Sequence, residues 1–345
     1  MENLDFSNTD MLILMPLYNH EDHVEEAIKS ILSQKTQYSY HVLVLDDCST
    51  DNSVAIVEKL ISENPGKITL LKSEKNQKLY LNILRGYEYC KSKYYCILDP
   101  DDYWCDDLRL EKVISFFEKH LECTVYGSNI KLLHNDGTSE NLIKGVEKDC
   151  IFNLEDYFEG KGYLVYTQGV AYRNTVLKDG VPQFFYDLKD KKEREAFRAD
   201  SFRNMMNSDK GKIYFTPEVQ AVYRITEGGI WTECSHVEQD ITNAFAFALF
   251  FEHFKHKYPQ MLELSYRLFN QANKDFNSYL DSADNLKHLK TCIYQYKKIK
   301  EIFSRNSEYL DHHLTDGQKL KHKLKLSLMR KLQRQIERRF KTKLL

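Results

Sequence analysis

The feature that most constrains the fold of this chain is an alternation of short apolar runs and amphipathic segments between residues 11 and 98. Continuous apolar runs are typical of strands buried on both faces of a parallel sheet, and apolar residues at 3.6-residue spacing indicate helices. The predicted strands are residues 11–15, 40–45, 68–71 and 94–98. Strands joined by helices predict right-handed βαβ units, and therefore an α/β fold with a mostly parallel central sheet flanked by helices.

The rest of the chain gives a mixed pattern followed by a helical one. Asn19 is the predicted N-cap of the first helix. Asn135-Asp136-Gly137 predicts a hairpin turn, and Pro217 separates two short predicted strands, residues 212–215 and 219–224. Further helices are predicted at residues 79–90, 106–119 and 196–208, and throughout the region after residue 235. The pattern therefore ends in an all-helical C-terminal extension.

Polar residues follow three of the predicted strands at the point where each strand ends. Tyr18-Asn19 follow the first strand, Asp46-Asp47 the second, and Asp99-Pro100-Asp101-Asp102 the fourth. In parallel α/β sheets, ligands bind outside the carboxyl ends of the strands. We therefore expect these side chains to form one ligand site.

The segment Asp99-Pro100-Asp101-Asp102 places three carboxylates close together, where they repel one another unless a cation lies among them. Mg²⁺ and Mn²⁺ prefer carboxylate, water and phosphate oxygens, so one interpretation is a metal that bridges the protein to a diphosphate. The alternative is a solvated loop whose acidic residues cap the next helix. The position after an apolar strand, next to Asp46-Asp47, favours the metal site.

Asp46 and Asp47 also have two interpretations. A carboxylate at the end of such a strand accepts hydrogen bonds from a ribose hydroxyl or from the N–H of a base. The alternative is N-capping of the following helix, a role that Ser49 and Asp51 are also able to fill. The chain contains no GxGxxG after the first strand, no GxxxxGK[ST] and no GxSxG, which argues against a nicotinamide site, a P-loop and a hydrolase elbow.

Three motifs, in order at three predicted strand ends, resemble signatures of the GT-A-fold glycosyltransferases of family 2. The motifs are P-x-Y-N at residues 16–19, D-D-x-S-x-D at residues 46–51 and D-x-D-D at residues 99–102. The resemblance covers residues 11–120 well and residues 121–235 more weakly. It implies a Rossmann-like GT-A fold and an inverting transferase of the hexosyl or N-acetylhexosaminyl type. It also implies Mn²⁺ or Mg²⁺ as cofactor and a nucleoside-diphosphate sugar as donor, with a UDP-sugar as the first expectation.

The resemblance also assigns roles to single residues. It places the metal ligand at Asp101, with Asp102 close by. The implied nucleotide contacts are Pro16, Tyr18, Asp46 and Asp47, with Asp99 contacting the ribose.

The catalytic base of the family is an acidic residue, often in a Glu-Asp pair at a helix start. Asp200 matches that position, although Ala199 stands where Glu or Gly is usual. Glu195 is the second candidate, and Asp187 and Asp190 stay open.

On the acceptor side, Tyr223 and Arg224 match a family segment, and the next residue but one, Thr226, stands where many relatives carry His. Trp231 is expected either to stack on a sugar or to anchor a buried loop.

The function expected from these features is sugar transfer to a glycan or lipid-linked acceptor in the synthesis of a surface polysaccharide or glycolipid. Two other classes stay open. One is another metal-dependent nucleotide-sugar enzyme, such as a nucleotidyltransferase, although residues 16–19 lack its glycine-rich phosphate loop. The other is a non-catalytic sugar-binding relative, against which the intact Asp99, Asp101 and Asp200 argue.

The length of 345 residues suggests two units. We predict a GT-A domain over residues 1–235, with a nucleotide-binding half (1–105) and an acceptor half (106–235), followed by a helical region over residues 236–345. The net charge of −2 gives no reason to expect a nucleic-acid partner. The eight cysteines form no CxxC pair and no secretory signal precedes Met11, so the expected location is the cytoplasm, with peripheral binding at the inner face of the membrane as a further expectation.

The last segment, residues 318–345, has the pattern of a basic amphipathic helix. Leucines, Ile336 and Phe340 recur at every fourth position, and eleven Lys or Arg residues lie between Lys319 and Lys343. Such a helix binds an anionic membrane surface, with packing on the protein or on another chain as the alternative. We expect the full chain to co-sediment with anionic vesicles, less so at high salt, and a truncation at Gly317 to lose this binding. Equal sedimentation of both proteins would remove the membrane interpretation.

Overall fold

A computed structural model describes residues 4–162, 166–197, 200–225, 234–281 and 286–313. The chain divides into two compact units, Met1–Cys234 and Ser235–Leu345. Each unit is described separately below.

The first unit begins with strands and helices in strict alternation. The strands are β1 (Met11–Leu17), β2 (Tyr40–Asp46), β3 (Ile68–Lys72) and β4 (Tyr94–Ile97), and the helices are α1 (Val24–Leu32), α2 (Ser53–Glu63) and α3 (Leu79–Tyr87). The predicted βαβ pattern is therefore present, with strand boundaries within two residues of the predicted ones. The prediction that Asn19 caps the first helix is wrong, because α1 begins at Val24 and Asn19 lies in a loop with a φ of 57°.

The remaining elements of the first unit complete the sheet and cover it. The strands are β5 (Tyr103–Trp104), β6 (Cys123–Leu133), β7 (Ser139–Asn141), β8 (Cys150–Phe152), β9 (Val170–Arg173) and β10 (Lys212–Arg224). The helices are α4 (Arg109–Lys119), α5 (Leu154–Phe158), α6 (Phe184–Asp187), α7 (Lys191–Phe197) and α8 (Asp200–Ser208). Residues 134–138 form the predicted hairpin turn between β6 and β7. The two strands predicted around Pro217 form one strand, β10. Its pairing with β6 is irregular next to Pro217, so the strand continues past the proline.

Among the described residues, ten strands form one mixed sheet in which the order of the main path is β3-β2-β1-β4-β9-β6-β10-β5. The strands β3, β2, β1 and β4 are parallel, and β9 is antiparallel to both of its neighbours. In this order, β2 and β3 lie on one side of β1, and β4 lies on its other side, so that the chain reverses its direction across the sheet between β1 and β4. The carboxyl ends of β1 and β4 therefore form a switch point, which is where ligands bind in open α/β sheets.

The core of the first unit forms on both faces of the parallel strands. All seven residues of β1 are buried, and Met11, Ile13 and Met15 share one apolar cluster with the buried face of α1. On the other face, Gly86 of α3 lies so close to Leu45 that a Cβ atom there would come within 2.5 Å of the leucine side chain. Each fully buried large apolar side chain contributes about 1.5–3 kcal/mol, so the strands that end at the site form a rigid base for it.

The second unit is helical throughout its described residues. Its helices are α9 (His236–His253), α10 (Pro259–Asp281), α11 (Leu286–Arg305) and α12 (Ser307–His313). Ser235 caps α9 in a capping box with Glu238, and α9 packs against α10 and α11. Within the part of the chain that the structure describes, no helix combines the length and apolarity needed to cross a membrane. The predicted basic tail lies outside the described residues.

Candidate functional site

The loops that follow β1 and β2 are held together by side-chain hydrogen bonds. The Asn19 amide accepts from the backbone of Thr50 (2.7 Å), and its backbone N–H donates to the Ser49 hydroxyl (3.1 Å). The backbone of His20 donates to Ser53 (2.8 Å). Asn19 and Cys48 both have positive φ angles, a conformation that clusters at functional sites. The P-x-Y-N and D-D-x-S-x-D motifs therefore form one connected surface, with Tyr18 41 % exposed on it and Pro16 buried in β1.

Asp46 and Asp47 are buried, and their carboxylates bind nearby backbone amides. Asp46 accepts from the N–H groups of Cys48 (3.2 Å) and Ser49 (3.1 Å), and Asp47 accepts from those of Gln77 (2.7 Å) and Lys78 (2.8 Å). These contacts shape the two loops at the end of β2. They argue against the alternative in which either residue caps α2, since Asp51 instead accepts from the backbone N–H of Ser53, the first residue of that helix (3.0 Å).

Two residues of α3, which the sequence motifs did not indicate, hold the strand ends beneath this surface. Asn82 donates to the carbonyl of Leu45 (2.6 Å), and Arg85 donates to the carbonyls of Asp46 and Leu71 (both 3.0 Å). The guanidinium of Arg85 also lies within electrostatic range of Asp46 and Asp47. The only sequence signal for this role was their place on the helix that follows β3.

Lys78, directly before α3, adopts a backbone conformation that is nearly exclusive to glycine. Its φ is 73° and its ψ is 160°, a region that costs other residues about 1–3 kcal/mol. The contact of its N–H with Asp47 requires only the backbone. The backbone strain therefore arises from the Cβ atom of Lys78, and a glycine at this position would keep the hydrogen bond to Asp47.

We expect Lys78→Gly to stabilise the protein, because relief of this strain outweighs the roughly 0.4–1 kcal/mol that glycine adds to the entropy of the unfolded chain. The measurement is chemical denaturation of the full chain. Lys75→Gly, in the same loop without a positive φ, is the matched control and should be neutral or destabilising. Destabilisation by Lys78→Gly to the same extent as the control would show that the strain is absent.

The acidic loop, residues 99–102, follows β4 at the switch point. Asp102 is fully buried, and its two oxygens accept from the amide of Gln168 (2.5 Å) and the backbone N–H of Arg224 (2.9 Å). Burial, together with Asp101 and Asp99, raises the pKa of Asp102 well above its usual range. The carboxyl group of Asp102 therefore ties Gln168, directly before β9, and Arg224 of β10 to the acidic loop, and a metal contact of Asp102 stays a prediction.

Arg224, predicted to lie on the acceptor side, contacts the acidic loop. Its guanidinium donates to the carbonyl of Asp101 (2.8 Å), forms an ion pair with Glu26 of α1, and lies over the ring of Tyr103 at 4.7 Å. The side chain therefore clamps the acidic loop between α1 and β5. Sequence spacing gave no signal for this contact, because Arg224 and Asp101 are far apart along the chain.

Asp99 and Asp101 are the partly exposed carboxylates of this loop. His20 lies within electrostatic range of Asp101, and burial of His20 lowers the pKa of the His20 imidazole. Among the described residues, no group of three or more His, Cys, Asp or Glu side chains is arranged to enclose a metal ion. Mg²⁺ and similar ions are often held by one or two carboxylates, with water and substrate phosphates completing the shell. The carboxylates of Asp99 and Asp101 therefore fit a metal shared with a bound diphosphate.

Asp200 and the acidic loop share a neighbour in Tyr223. Tyr223 of β10 lies within electrostatic range of both, and burial, with Asp102, Asp101, Asp99 and Asp200, raises its pKa to about 12. Asp200 is the first residue of α8 and is only partly buried. A carboxylate at this position is able to take up a proton beside the place where a donor would bind at the switch point.

The other candidate residues have separate positions. Asp190 caps α7 by accepting from the backbone of Lys192 (2.7 Å), and Asp187 is exposed and accepts from Gln183 (3.1 Å). Glu195 lies within α7. Trp231, expected to contact a sugar, lies outside the described residues.

Comparison with known proteins agrees with this architecture. The family model described as Glycosyl transferase family 2 matches residues 12–181. Residues 1–349 of S. aureus TarS, solved in complex with UDP-GlcNAc, align with a TM-score of 0.58 and 18 % identity, covering 85 % of this chain and 81 % of that chain. At this identity the likeness shows the fold alone, which is α/β and GT-A-like. Residues 12–181, just under half of the chain, therefore carry the glycosyl transferase family 2 match.

Curated relatives match over part of this chain. An uncharacterized protein of Mycobacterium tuberculosis is 24 % identical over 221 residues, which are 64 % of this chain and 60 % of that protein. The putative teichuronic acid biosynthesis glycosyltransferase TuaG of Bacillus subtilis is 28 % identical over 126 residues, which are 36 % of this chain and 48 % of TuaG. The alignments therefore span 60 % or less of the length of these relatives.

Proposed function

We propose that this chain is an inverting glycosyltransferase that moves a sugar from a nucleoside-diphosphate sugar to an acceptor hydroxyl. The observation that carries this proposal is that Tyr223 of β10 lies within electrostatic range both of Asp200 and of the acidic loop that follows β4 at the switch point. A nucleotide enzyme without a glycine-rich phosphate loop needs another way to balance the diphosphate charge. The partly exposed Asp99 and Asp101 are the groups available to hold a divalent cation that would balance this charge.

The donor half of the site is the surface formed by the loops after β1 and β2. Tyr18 is exposed there, and its ring is available to stack on a base. Asp46 and Asp47 already accept two backbone N–H groups each. A carboxylate has about four acceptor sites, so each keeps capacity for a base N–H or a ribose hydroxyl. Asp99, at the end of β4, is proposed to contact the ribose.

The reaction is proposed to be a single in-line displacement at the anomeric carbon. Asp200 accepts the proton of the acceptor hydroxyl while the acceptor oxygen forms a bond to that carbon. The bond from the anomeric carbon to the diphosphate oxygen breaks, and its electron pair leaves with the nucleoside diphosphate. One displacement inverts the configuration at the anomeric carbon. Mn²⁺ or Mg²⁺, when bound at Asp101, would neutralise charge that develops on the departing diphosphate.

The acceptor is proposed to be a growing surface polysaccharide or glycolipid. The support is the similarity to TuaG, whose name places it in teichuronic acid biosynthesis. A basic tail that binds anionic lipid would hold such an enzyme near a lipid-linked acceptor at the inner face of the membrane. The type of sugar, hexosyl or N-acetylhexosaminyl, follows from the donor and is open to direct measurement.

The experiment is a panel of nucleotide sugars, incubated with the full chain and Mn²⁺ and scored by slow donor hydrolysis. Water replaces the acceptor, so the acceptor need not be known. We expect one nucleotide sugar, with UDP-glucose and UDP-GlcNAc as the first candidates, to be hydrolysed faster than the others. Uniform stability of all donors, together with the absence of nucleotide binding, would contradict the proposal.

A further inference from the structure

The side chain of Arg224, the last residue of β10, joins that strand to two other parts of the first unit. One Nη atom donates to the carbonyl oxygen of Asp101 (2.8 Å), and the other forms an ion pair with Glu26 of α1. The guanidinium lies over the ring of Tyr103 at 4.7 Å, which restricts its plane. A planar guanidinium holds two acceptors at once in a set geometry, whereas the ammonium group of a lysine is a single point charge.

The elements that Arg224 connects are themselves held firmly. The apolar face of α1 is fully buried in the core, and β10 pairs with both β6 and β5. The backbone of Trp104, in β5, donates to the hydroxyl of Ser30 on α1 (3.1 Å), so a second bond ties the chain after the acidic loop to the same helix. The positions of Glu26 and Arg224 are therefore set by the core, and the acidic loop is held against them.

These contacts hold the backbone of the acidic loop and leave one carboxylate available. The carbonyl of Asp101 accepts from Arg224, and the next residue, Asp102, is held by Gln168 and by the backbone N–H of Arg224. The carboxylate of Asp101 is partly exposed, and no hydrogen bond joins it to any residue that the structure describes. Asp101 therefore presents a free carboxylate on a backbone that is fixed at its carbonyl and at the following residue.

The ion pair with Glu26 decides how the charge of Arg224 acts on this loop. An unbalanced guanidinium beside Asp99 and Asp101 would repel a divalent cation at short range. Glu26 offsets that charge, and the guanidinium bonds to the backbone carbonyl of Asp101 and not to its carboxylate. Arg224 is therefore able to support the loop without competing with a cation for the Asp101 carboxylate.

We propose that Arg224 is a positioning residue that holds the carboxylate of Asp101 where a divalent cation is shared with the donor diphosphate. This inference rests on the proposed function, in which Asp101 holds the metal. Groups that orient a metal ligand act through that ligand, and their loss typically costs about 10–100-fold in metal affinity. Arg224 acts in this way through the backbone of Asp101, without touching the substrate.

The first test is a set of binding titrations with the full chain. UDP, GDP and dTDP are titrated with Mn²⁺ and with chelator, and the nucleotide whose binding Mn²⁺ strengthens most is then used for the variants. In Arg224→Met, the strengthening by Mn²⁺ should fall by about 10–100-fold, while the affinity in chelator should stay the same. An equal loss with Mn²⁺ and with chelator would show that Arg224 contacts the nucleotide directly, and it would overturn the inference, as would an unchanged effect of Mn²⁺.

Two further variants show whether Arg224 acts through Asp101. Arg224→Lys keeps the charge but reaches only one of the two partners at a time, so its loss should be smaller than that of Arg224→Met. It also takes the place of Arg224→Met if that variant does not fold. Adding Arg224→Met to Asp101→Ala should change the effect of Mn²⁺ no further, because both substitutions act on one carboxylate. A further loss in the double variant would contradict the inference.

Arg173→Met is the matched control. Arg173 also donates to backbone carbonyls, those of Phe117, His120 (3.1 Å) and Cys123 (3.0 Å). It pairs with Tyr94, the first residue of β4, at the opposite end of that strand from the acidic loop. Its loss should lower stability and leave the effect of Mn²⁺ unchanged. A loss of the Mn²⁺ effect as large as that of Arg224→Met would show a general structural effect and overturn the inference.

The second test needs neither metal nor activity. The backbone N–H of Asp102 donates to the carbonyl of Asp99 within the acidic loop (3.1 Å), and its hydrogen exchange is followed in the full chain without metal. Arg224→Met should speed this exchange by at least about threefold, and Arg173→Met should not. Unchanged exchange in Arg224→Met would overturn this inference alone. The absence of any Mn²⁺ effect in the unmodified chain would instead refute the proposed metal site, and this inference with it.

Discussion

Asp101→Ala is expected to lower the rates of metal-dependent donor hydrolysis and sugar transfer by about 10³-fold or more, while the protein stays folded. Asp101 is partly exposed, and the contact that anchors it to Arg224 uses its backbone carbonyl, which alanine retains. The loss follows because the variant lacks the carboxylate proposed to share a metal with the diphosphate, a contribution of several kcal/mol. The measurements are initial rates with Mn²⁺, with Mg²⁺ and with chelator.

The matched control for this variant is Asp107→Ala. Asp107 is an exposed carboxylate between β5 and α4, where it forms an ion pair with Lys35. Its removal should leave the rates unchanged. A binding titration adds a second measurement: Mn²⁺ should strengthen binding of the nucleoside diphosphate to the unmodified protein and not to Asp101→Ala. Full activity of Asp101→Ala in chelator would contradict the proposed metal site.

Asp200→Asn is expected to lower transfer by about 10²–10⁴-fold, the usual contribution of a positioned base. Asparagine has nearly the same shape and keeps the side-chain oxygen that accepts from the backbone of Ser201 (2.6 Å). Donor binding should therefore survive, so that the variant loses rate and not nucleotide affinity. The measurement is a comparison of transfer rate and nucleotide affinity in the same preparation.

Glu195→Gln decides between the two candidate bases. Glu195 lies on α7, and its replacement should leave most of the rate intact if Asp200 is the base. Normal transfer by Asp200→Asn with loss of transfer in Glu195→Gln would reverse the assignment.

The parallel half of the fold could be predicted from the sequence because its signals are local. The apolar run of β1 and the polar residues directly after it are visible in a few consecutive positions. The carboxyl ends of parallel strands meet at one edge, so the proximity of Tyr18, Asp46 and Asp99 followed from the strand assignment alone. Helix starts were less accurate, because Asn19 bonds across to Thr50 of the next loop and does not cap α1.

The contacts of Asp102 and Arg224 could not be predicted, because each depends on partners distant in sequence. Asp102 is one of three acidic residues within four positions, and only the contacts with Gln168 and Arg224 show that it points into the protein. Arg224 matched an acceptor-side segment, and only the folded structure shows that it holds Asp101.

The measurement that tests the central claim most directly is the position of bond cleavage in the donor. The preferred nucleotide sugar is incubated with the full chain and metal in ¹⁸O-labelled water, and the nucleotide product is analysed by mass spectrometry. A glycosyltransferase cleaves the bond between the anomeric carbon and oxygen, so the product should be an unlabelled nucleoside diphosphate and a free sugar. A nucleoside monophosphate, or ¹⁸O in the phosphate of the nucleotide, would show attack at phosphorus and contradict the account.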